Sequence, residues 1–89
     1  METQREWELL GSTPGEYSMD AASKLVASLE RDGWERGSRG DLVEHGIELQ
    51  KDGCTFQIMC SYEDIFVRRI SGNRAKYYEI CEQLRQGVT

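Results

Sequence analysis

The chain has 89 residues, of which 38% are hydrophobic and 30% are charged, and its formal net charge is −5. This length gives one domain with a modest core, and the composition excludes both a disordered chain and a membrane-embedded one. The acidic balance argues against a general nucleic-acid binder.

The first third of the chain predicts a strand followed by a helix. Apolar and acidic residues alternate over 5–10, which indicates a short strand, and the glycines and proline of 11–15 then break the chain. Ser18 is placed to cap a helix over 19–31, and Gly33 can end it in a left-handed conformation. Its apolar residues recur at helical spacing: Ala22, Leu25, Val26 and Leu29.

The middle of the chain predicts a β-hairpin. Residues 35–41 indicate a loop or a frayed edge strand, and 42–51 and 54–60 read as strands joined by Asp52-Gly53, a typical two-residue hairpin loop. A loop of this length fixes the register. The expected cross-strand pairs are Lys51–Cys54, Leu49–Phe56, Ile47–Ile58 and His45–Cys60.

The last third predicts a strand and a second helix. A turn over 61–64 leads to a strand over 65–70, and either of its faces can be the core face, because each carries two apolar residues and one arginine. Residues 71–73 then start a helix. Its apolar stripe consists of Tyr77, Ile80, Cys81, Leu84 and Val88.

Together these elements predict one α+β domain over 1–89 with the order (β)-α-β-β-β-α. The economical arrangement is an antiparallel sheet of three strands, or four if 5–10 joins it, with both helices packed on one face. We expect one core cluster that contains Leu25, Leu29, Ile47, Leu49, Phe56, Ile58, Ile80 and Leu84.

The cysteines and the N-terminal residues indicate a reducing compartment. Residues 1–6 lack the basic-then-apolar pattern of a signal peptide. Cys54, Cys60 and Cys81 are odd in number and include no closely spaced pair. We therefore expect a cytoplasmic protein with three reduced, mostly buried cysteines.

His45 and Cys60 are the strongest candidates for chemistry, since the register sets them about 5 Å apart at Cβ. A Cys–His pair can form a nucleophile, but this pair lies on the core-facing side of its strands and lacks a third group to orient the histidine. Zinc requires about four converging ligands, and only His45, Cys60 and Cys81 could meet. We expect no enzyme, no metal site and no cofactor.

The run 24–35, followed by three predicted strands and a helix, resembles the small HicA-type toxins, which cleave mRNA and have a double-stranded-RNA-binding-like fold. The likeness covers this run and the order of the elements. Those toxins carry a histidine directly after the matching Gly-Ser, whereas Gly37-Ser38 is followed here by Arg39 and Gly40. The resemblance therefore implies the architecture and not the activity.

Charge is divided unevenly along the chain. Residues 1–66 hold 14 acidic and 6 basic side chains, and 67–89 hold 2 acidic and 5 basic ones. We expect a protein-binding module that acts as an inhibitor or regulatory adaptor, of the kind that phages and mobile elements carry against host defence, and whose partner can be a nucleic-acid-handling complex. The alternative is a nucleic-acid-binding module of double-stranded-RNA-binding-like fold that uses the basic segment. The expected partner-binding residues are Glu6, Glu8, Glu44, Glu48, Glu63, Asp64, Arg68, Arg69, Arg74 and Lys76.

Overall fold

The periodic segments of the chain form two helices and one antiparallel sheet. The computed structural model describes residues 7–37, 40–43 and 45–88. Its elements are β1 (Glu8–Ser12), α1 (Met19–Arg31), β2 (Glu35–Arg36), β3 (Ile47–Lys51), β4 (Cys54–Ser61), β5 (Asp64–Ser71) and α2 (Arg74–Val88). The sheet has the strand order β1-β5-β4-β3-β2. No helix in the described ranges is long and apolar enough to cross a membrane.

The predicted α+β class and the β3-β4-β5 meander are confirmed, but the predicted strand count was wrong. The described chain forms five strands rather than three or four, because two further segments pair with the outer strands of the meander. β1 pairs with β5, and the two-residue β2 pairs with β3. Of the two predicted alternatives for the segment after α1, a loop or a frayed edge strand, the structure has the edge strand.

The β3–β4 hairpin follows the predicted register over most of its length. Lys51 pairs with Cys54, Leu49 with Phe56 and Ile47 with Ile58. Asp52 has φ 51° and Gly53 has φ 78°. Positive φ at both loop positions is the type I′ geometry that matches the twist of the two strands.

The predicted pairing of His45 with Cys60 was wrong. β3 begins at Ile47, because Gly46 adopts φ 85° and its amide donates to the Asp41 carbonyl at 2.7 Å, which closes a turn. The Cys60 amide instead donates to the Leu42 carbonyl at 2.7 Å. His45 is exposed on this turn, whereas Cys60 is buried.

Helix α1 has the predicted bounds, and its buried residues are the predicted stripe. Ser18 occupies the N-cap position but does not cap the helix with its side chain. Its hydroxyl donates instead to the Asp64 carbonyl at 2.9 Å. At the other end, Gly33 takes the left-handed conformation at φ 99°.

One face of the sheet carries the core. Ile65 and Val67 of β5 are fully buried, which identifies the core side of this strand. Both helices pack on that face and contribute to one cluster with it. Of the eight expected core residues, seven are buried and Ile80 packs against them partly buried. The other members are Leu10, Ala22, Val26, Trp34, Leu42, Cys54, Cys60, Ile65, Val67, Tyr77 and Cys81.

Candidate protein-binding surface

The cysteines are placed for packing rather than for reaction. Cys54, Cys60 and Cys81 are free and buried. Burial raises the pKa of each thiol above its usual range, which disfavours the thiolate that nucleophilic attack and metal binding require. Within the described ranges no three His, Cys, Asp or Glu side chains are grouped to hold a metal ion. Chemistry at these thiols therefore has little support from the geometry.

Two exposed tyrosines mark one end of the sheet. Tyr62 lies in the turn between β4 and β5, where it is 83% exposed and has φ 54°. Tyr17 lies just before α1 and is 52% exposed. Because both side chains line the same two surface hollows, we call them the tyrosine pair. Large aromatic side chains left in water at neighbouring positions are typical of binding surfaces.

The backbone beneath the tyrosine pair is held by hydrogen bonds between two loops. The Thr13 amide donates to the Glu63 carbonyl at 2.7 Å, and the Ser18 amide donates to the Tyr62 carbonyl at 2.7 Å. Ser18 is completely buried, so its hydroxyl bond to Asp64 adds a third connection shielded from water. The loop over 13–18 and the β4–β5 turn thus form one base.

Two carboxylates strengthen this base. The Gly15 amide donates to Glu63 Oε2 at 3.0 Å, and the Ser12 hydroxyl donates to Asp64 Oδ1 at 2.6 Å. Hydrogen bonds to a charged acceptor are roughly twice as strong as neutral ones. Glu63 and Asp64 therefore have a structural role in addition to the charge that they bring to the surface.

The tyrosine pair separates two hollows of different character. The acidic hollow, of about 410 Å³, is lined by Gly15, Glu16, Tyr17, Tyr62, Glu63 and Asp64. The apolar hollow, of about 480 Å³, is lined by Tyr17, Val43, Cys60, Ser61 and Tyr62. Val43 is 42% exposed and offers a hydrocarbon wall. This end of the molecule thus combines negative charge, aromatic rings and a small apolar depression.

The sheet face opposite the helices forms a second surface, which we call the open face. One row across it consists of Leu9, Phe66 and Met59. In the next row the Arg68 Nε donates to Gln57 Oε1 at 2.7 Å. The Arg68 guanidinium also lies 4.4 Å from the centre of the Trp7 ring, a cation–π distance. Trp7, Phe66, Met59 and Arg68 are half-buried by contacts within this face, whereas Leu9 at its edge is 53% exposed.

The predicted acidic residues do not form one patch. Glu63 and Asp64 lie together beside the tyrosine pair, whereas Glu48 lies on the open face opposite Gln57. Glu8 lies at the start of β1, where its Oε1 accepts the hydroxyl of Tyr77 at 2.8 Å. Glu6 and Glu44 lie outside the described residues.

The predicted basic residues are also divided. Arg68 and Arg69 are adjacent in sequence and therefore point to opposite sides of β5, with Arg68 on the open face. The Arg69 Nη1 donates to the Gly72 carbonyl at 3.0 Å. Arg74 is exposed in the first turn of α2, and Lys76 Nζ lies 3.5 Å from Asp52 Oδ2. Arg69, Arg74 and Lys76 belong to the segment that runs from the end of β5 into the first turn of α2.

Sequence reasoning missed the tyrosine pair and Val43. Tyr62 lies in the predicted turn over 61–64, and Tyr17 lies between the predicted break over 11–15 and the first helix. Val43 lies in the predicted strand over 42–51, which begins only at Ile47 in the structure. A signal was available, because an aromatic residue in a predicted turn has no core to enter.

Comparisons with protein-family models, with curated proteins and with solved structures found no match.

Proposed function

We propose that this chain is a small protein-binding module that acts as an inhibitor or a regulatory adaptor by covering a surface of another protein. The observation that supports this most directly is the tyrosine pair, which is exposed and mounted on a hydrogen-bonded base. The specific form we favour is an inhibitor of the kind that phages and mobile elements carry against host defence. Binding, rather than catalysis, is the proposed activity.

The tyrosine pair has the properties of an interface anchor. Tyrosine is enriched among residues that dominate binding energy, because it buries a large ring while fixing only two side-chain torsions. The bonds from Thr13 and Ser18 fix the backbone before a partner arrives. A surface organised in advance loses less entropy on binding.

The charge of the chain fits a partner with a basic surface. The net charge is −5, and three carboxylates lie in the hollow beside the tyrosine pair. Such a field speeds the approach of a positively charged surface. A protein that handles nucleic acid carries such a surface for phosphate, and an acidic inhibitor can occupy the same groove.

The nucleic-acid-binding alternative receives less support from the geometry. Arg68 and Arg69 point to opposite sides of β5, and two of the other basic residues have carboxylate partners: Lys76 with Asp52 and Arg85 with Glu82. A phosphate backbone is best followed by a continuous basic face. Arg68, moreover, is engaged with Trp7 and Gln57 on the open face.

The test is to capture a partner on the immobilised chain, purify it, and measure its association with charge variants. We expect Glu16→Lys with Glu48→Lys to slow association by about tenfold or more, because steering acts on the association rate. The matched variant Arg74→Glu with Lys76→Glu tests the basic segment, and we expect a smaller effect. Thermal melts by circular dichroism must first show that both variants fold like the parent.

Parallel titrations with a fluorescent RNA and a fluorescent DNA oligonucleotide decide between the two functions. We expect little binding at physiological salt. The proposal fails if the chain retains no protein but binds an oligonucleotide with the steep salt dependence of phosphate contacts. It also fails if the acidic reversals leave the association rate of a captured partner unchanged.

A further inference from the structure

The two hollows on either side of the tyrosine pair differ in their lining, and we call the two together the groove. Tyr17 and Tyr62 line both of them, so a ligand that crosses the pair contacts the acidic and the apolar hollow at once. The base beneath is hydrogen-bonded and Ser18 within it is fully buried. The groove therefore exists before a partner arrives.

The acidic hollow is suited to a cation. Glu16, Glu63 and Asp64 are half of its lining, and within the described part of the chain no lysine or arginine contributes to it. Glu63 accepts a hydrogen bond from the Gly15 amide and Asp64 accepts one from the Ser12 hydroxyl, which holds their carboxylates in place. Both tyrosines line the same hollow, and an aromatic ring can attract a cation to its face.

The apolar hollow is suited to a hydrocarbon side chain. Val43 is 42% exposed and forms one wall, while Cys60 at the base is completely buried. Asp41 Oδ1 accepts the Val43 amide at 3.0 Å, so a carboxylate also lies beside this wall.

We propose, building on the protein-binding function proposed above, that this groove takes a segment of the partner in which an arginine or lysine lies next to an apolar residue. The basic side chain enters the acidic hollow and pairs with Glu16 and Glu63. The apolar side chain covers Val43. The occupant is chosen by charge complementarity, since an acidic or purely polar segment would leave the three carboxylates without a counter-charge and Val43 in water.

The probe is a library of random 12-residue peptides displayed on phage, selected on the immobilised full chain. We expect enrichment of peptides that carry Arg or Lys directly beside an apolar residue. A synthetic copy of one selected peptide is then titrated into the isotope-labelled protein. The largest backbone amide shifts are expected at residues 16–17, 43 and 60–64.

Two variants of the groove test the assignment. Tyr62→Ser removes the most exposed ring, and Glu16→Gln with Glu63→Gln removes two charges while leaving an oxygen that can accept the Gly15 amide. We expect each variant to lower the affinity for the selected peptide by about tenfold or more.

Matched controls remove similar groups elsewhere. Tyr78→Ser takes an exposed tyrosine from α2, and Glu35→Gln with Glu79→Gln changes the net charge by the same amount on β2 and α2. We expect the affinity of the peptide to stay within about twofold in both controls, because the groups removed lie outside the groove.

Several results would overturn the proposal: a selection that returns no peptide, peptides without the basic–apolar pair, or shifts centred on the open face. Should the groove variants fail to fold, the shift map on the unaltered protein still decides. The outcome is also separable from that for the general function. A captured partner whose binding ignores both Tyr62→Ser and Glu16→Gln with Glu63→Gln rejects the groove and keeps the protein-binding function.

Discussion

The core face and the open face belong to the same strands yet differ in how their side chains are covered. On β4 the alternation is complete: Cys54, Phe56, Ile58 and Cys60 are fully buried, and each intervening residue is half-buried. The core face receives two helices. In the described chain the open face receives only its own side chains, with the Trp7 ring against Arg68. The core face is thus held by packing against the helices, whereas the open face has mainly pairwise contacts between its own side chains.

This difference explains why the parity of β5 could not be predicted. Phe66 on the open face is as apolar as Ile65 or Val67 on the core face, so hydrophobicity alone does not separate them. The distinction comes from the partners across the strands. Val67 lies opposite Ile58 on β4, whereas Phe66 lies between Met59 on β4 and Leu9 on β1. An aromatic residue on an uncovered sheet face is a cross-strand contact rather than core.

The largest predicted effect comes from truncating the core face. Phe56 is fully buried, and the centre of its ring lies 5.1 Å from that of Trp34 and 6.3 Å from that of Tyr77. We expect Phe56→Ala to lower the free energy of unfolding by about 3–5 kcal/mol, from lost burial and the remaining cavity. Urea denaturation measures it.

Phe66→Ala is the matched truncation on the open face. We expect a loss of about 1 kcal/mol, since the half-buried ring contributes mainly cross-strand contacts. Equal losses for Phe56→Ala and Phe66→Ala would show that the two faces do not differ in the way described.

The next effect concerns the link between the sheet and the helix that covers it. Gly72 has φ 97°, and a Cβ there would lie 2.2 Å from the Gly53 carbonyl oxygen. We expect Gly72→Ala to cost about 2 kcal/mol or more from strain and displacement of the backbone. Gly53→Ala is the control, because its φ is 78° but the space around it is open. Gly53→Ala should lower the free energy of unfolding by only about 1 kcal/mol. A larger loss for Gly53→Ala than for Gly72→Ala would contradict the close approach of Gly72 to the Gly53 carbonyl.

A smaller effect is expected at alkaline pH, at the edge of the core face. Burial, with the hydrogen bond to Glu8 second, raises the pKa of the Tyr77 hydroxyl well above its usual value near 10. Above pH 10 the unfolded chain releases this proton while the folded chain keeps it. Stability from this group is therefore complete below about pH 10 and declines as pH rises further.

Urea melts at pH 8 to 11 test this. Tyr77→Phe should lose about 1 kcal/mol at pH 8 with the hydrogen bond, and its stability should decline less above pH 10 than that of the parent. Tyr78→Phe, altered at an exposed ring, should decline as steeply as the parent. A parallel decline in all three proteins would contradict the raised pKa of Tyr77.

A similarly small effect is predicted for Arg68 on the open face. Arg68→Ala removes the contact with Trp7 and the bond to Gln57. We expect a loss of about 0.5–1.5 kcal/mol, the usual range for an exposed cation–π contact and one hydrogen bond. A loss comparable to that of Phe56→Ala would mean that the open face carries a core of its own.

Much of the fold could be predicted because the signals were local. The apolar stripe of α1 and the Asp52-Gly53 loop each depend on a few neighbouring residues, and both predictions are confirmed. The start of β3 depended on Gly46 leaving the extended conformation, which no alternation of apolar residues reports. The pairing of β1 with β5 joins Glu8 to Val67 and Ser12 to Asp64, and so depends on contacts that no short window contains.

The candidate surface was harder to predict than the fold. Charge clusters can be read from sequence, but whether Arg68 and Arg69 share a surface depends on which side of β5 faces the core. The tyrosine pair joins Tyr17 to Tyr62 across 45 positions of sequence through bonds between two loops. Only the folded chain brings these rings together.

The shortness of β2 has a consequence for association between copies of this protein. An edge strand exposes amide and carbonyl groups that another chain can extend. Here that edge is two charged residues, Glu35 and Arg36, and the opposite edge, β1, has an irregularity between Leu9 and Gly11. Neither edge offers a long regular template, so growth of the sheet from molecule to molecule is discouraged, and the protein can display exposed tyrosines at high concentration with less risk of forming fibrils.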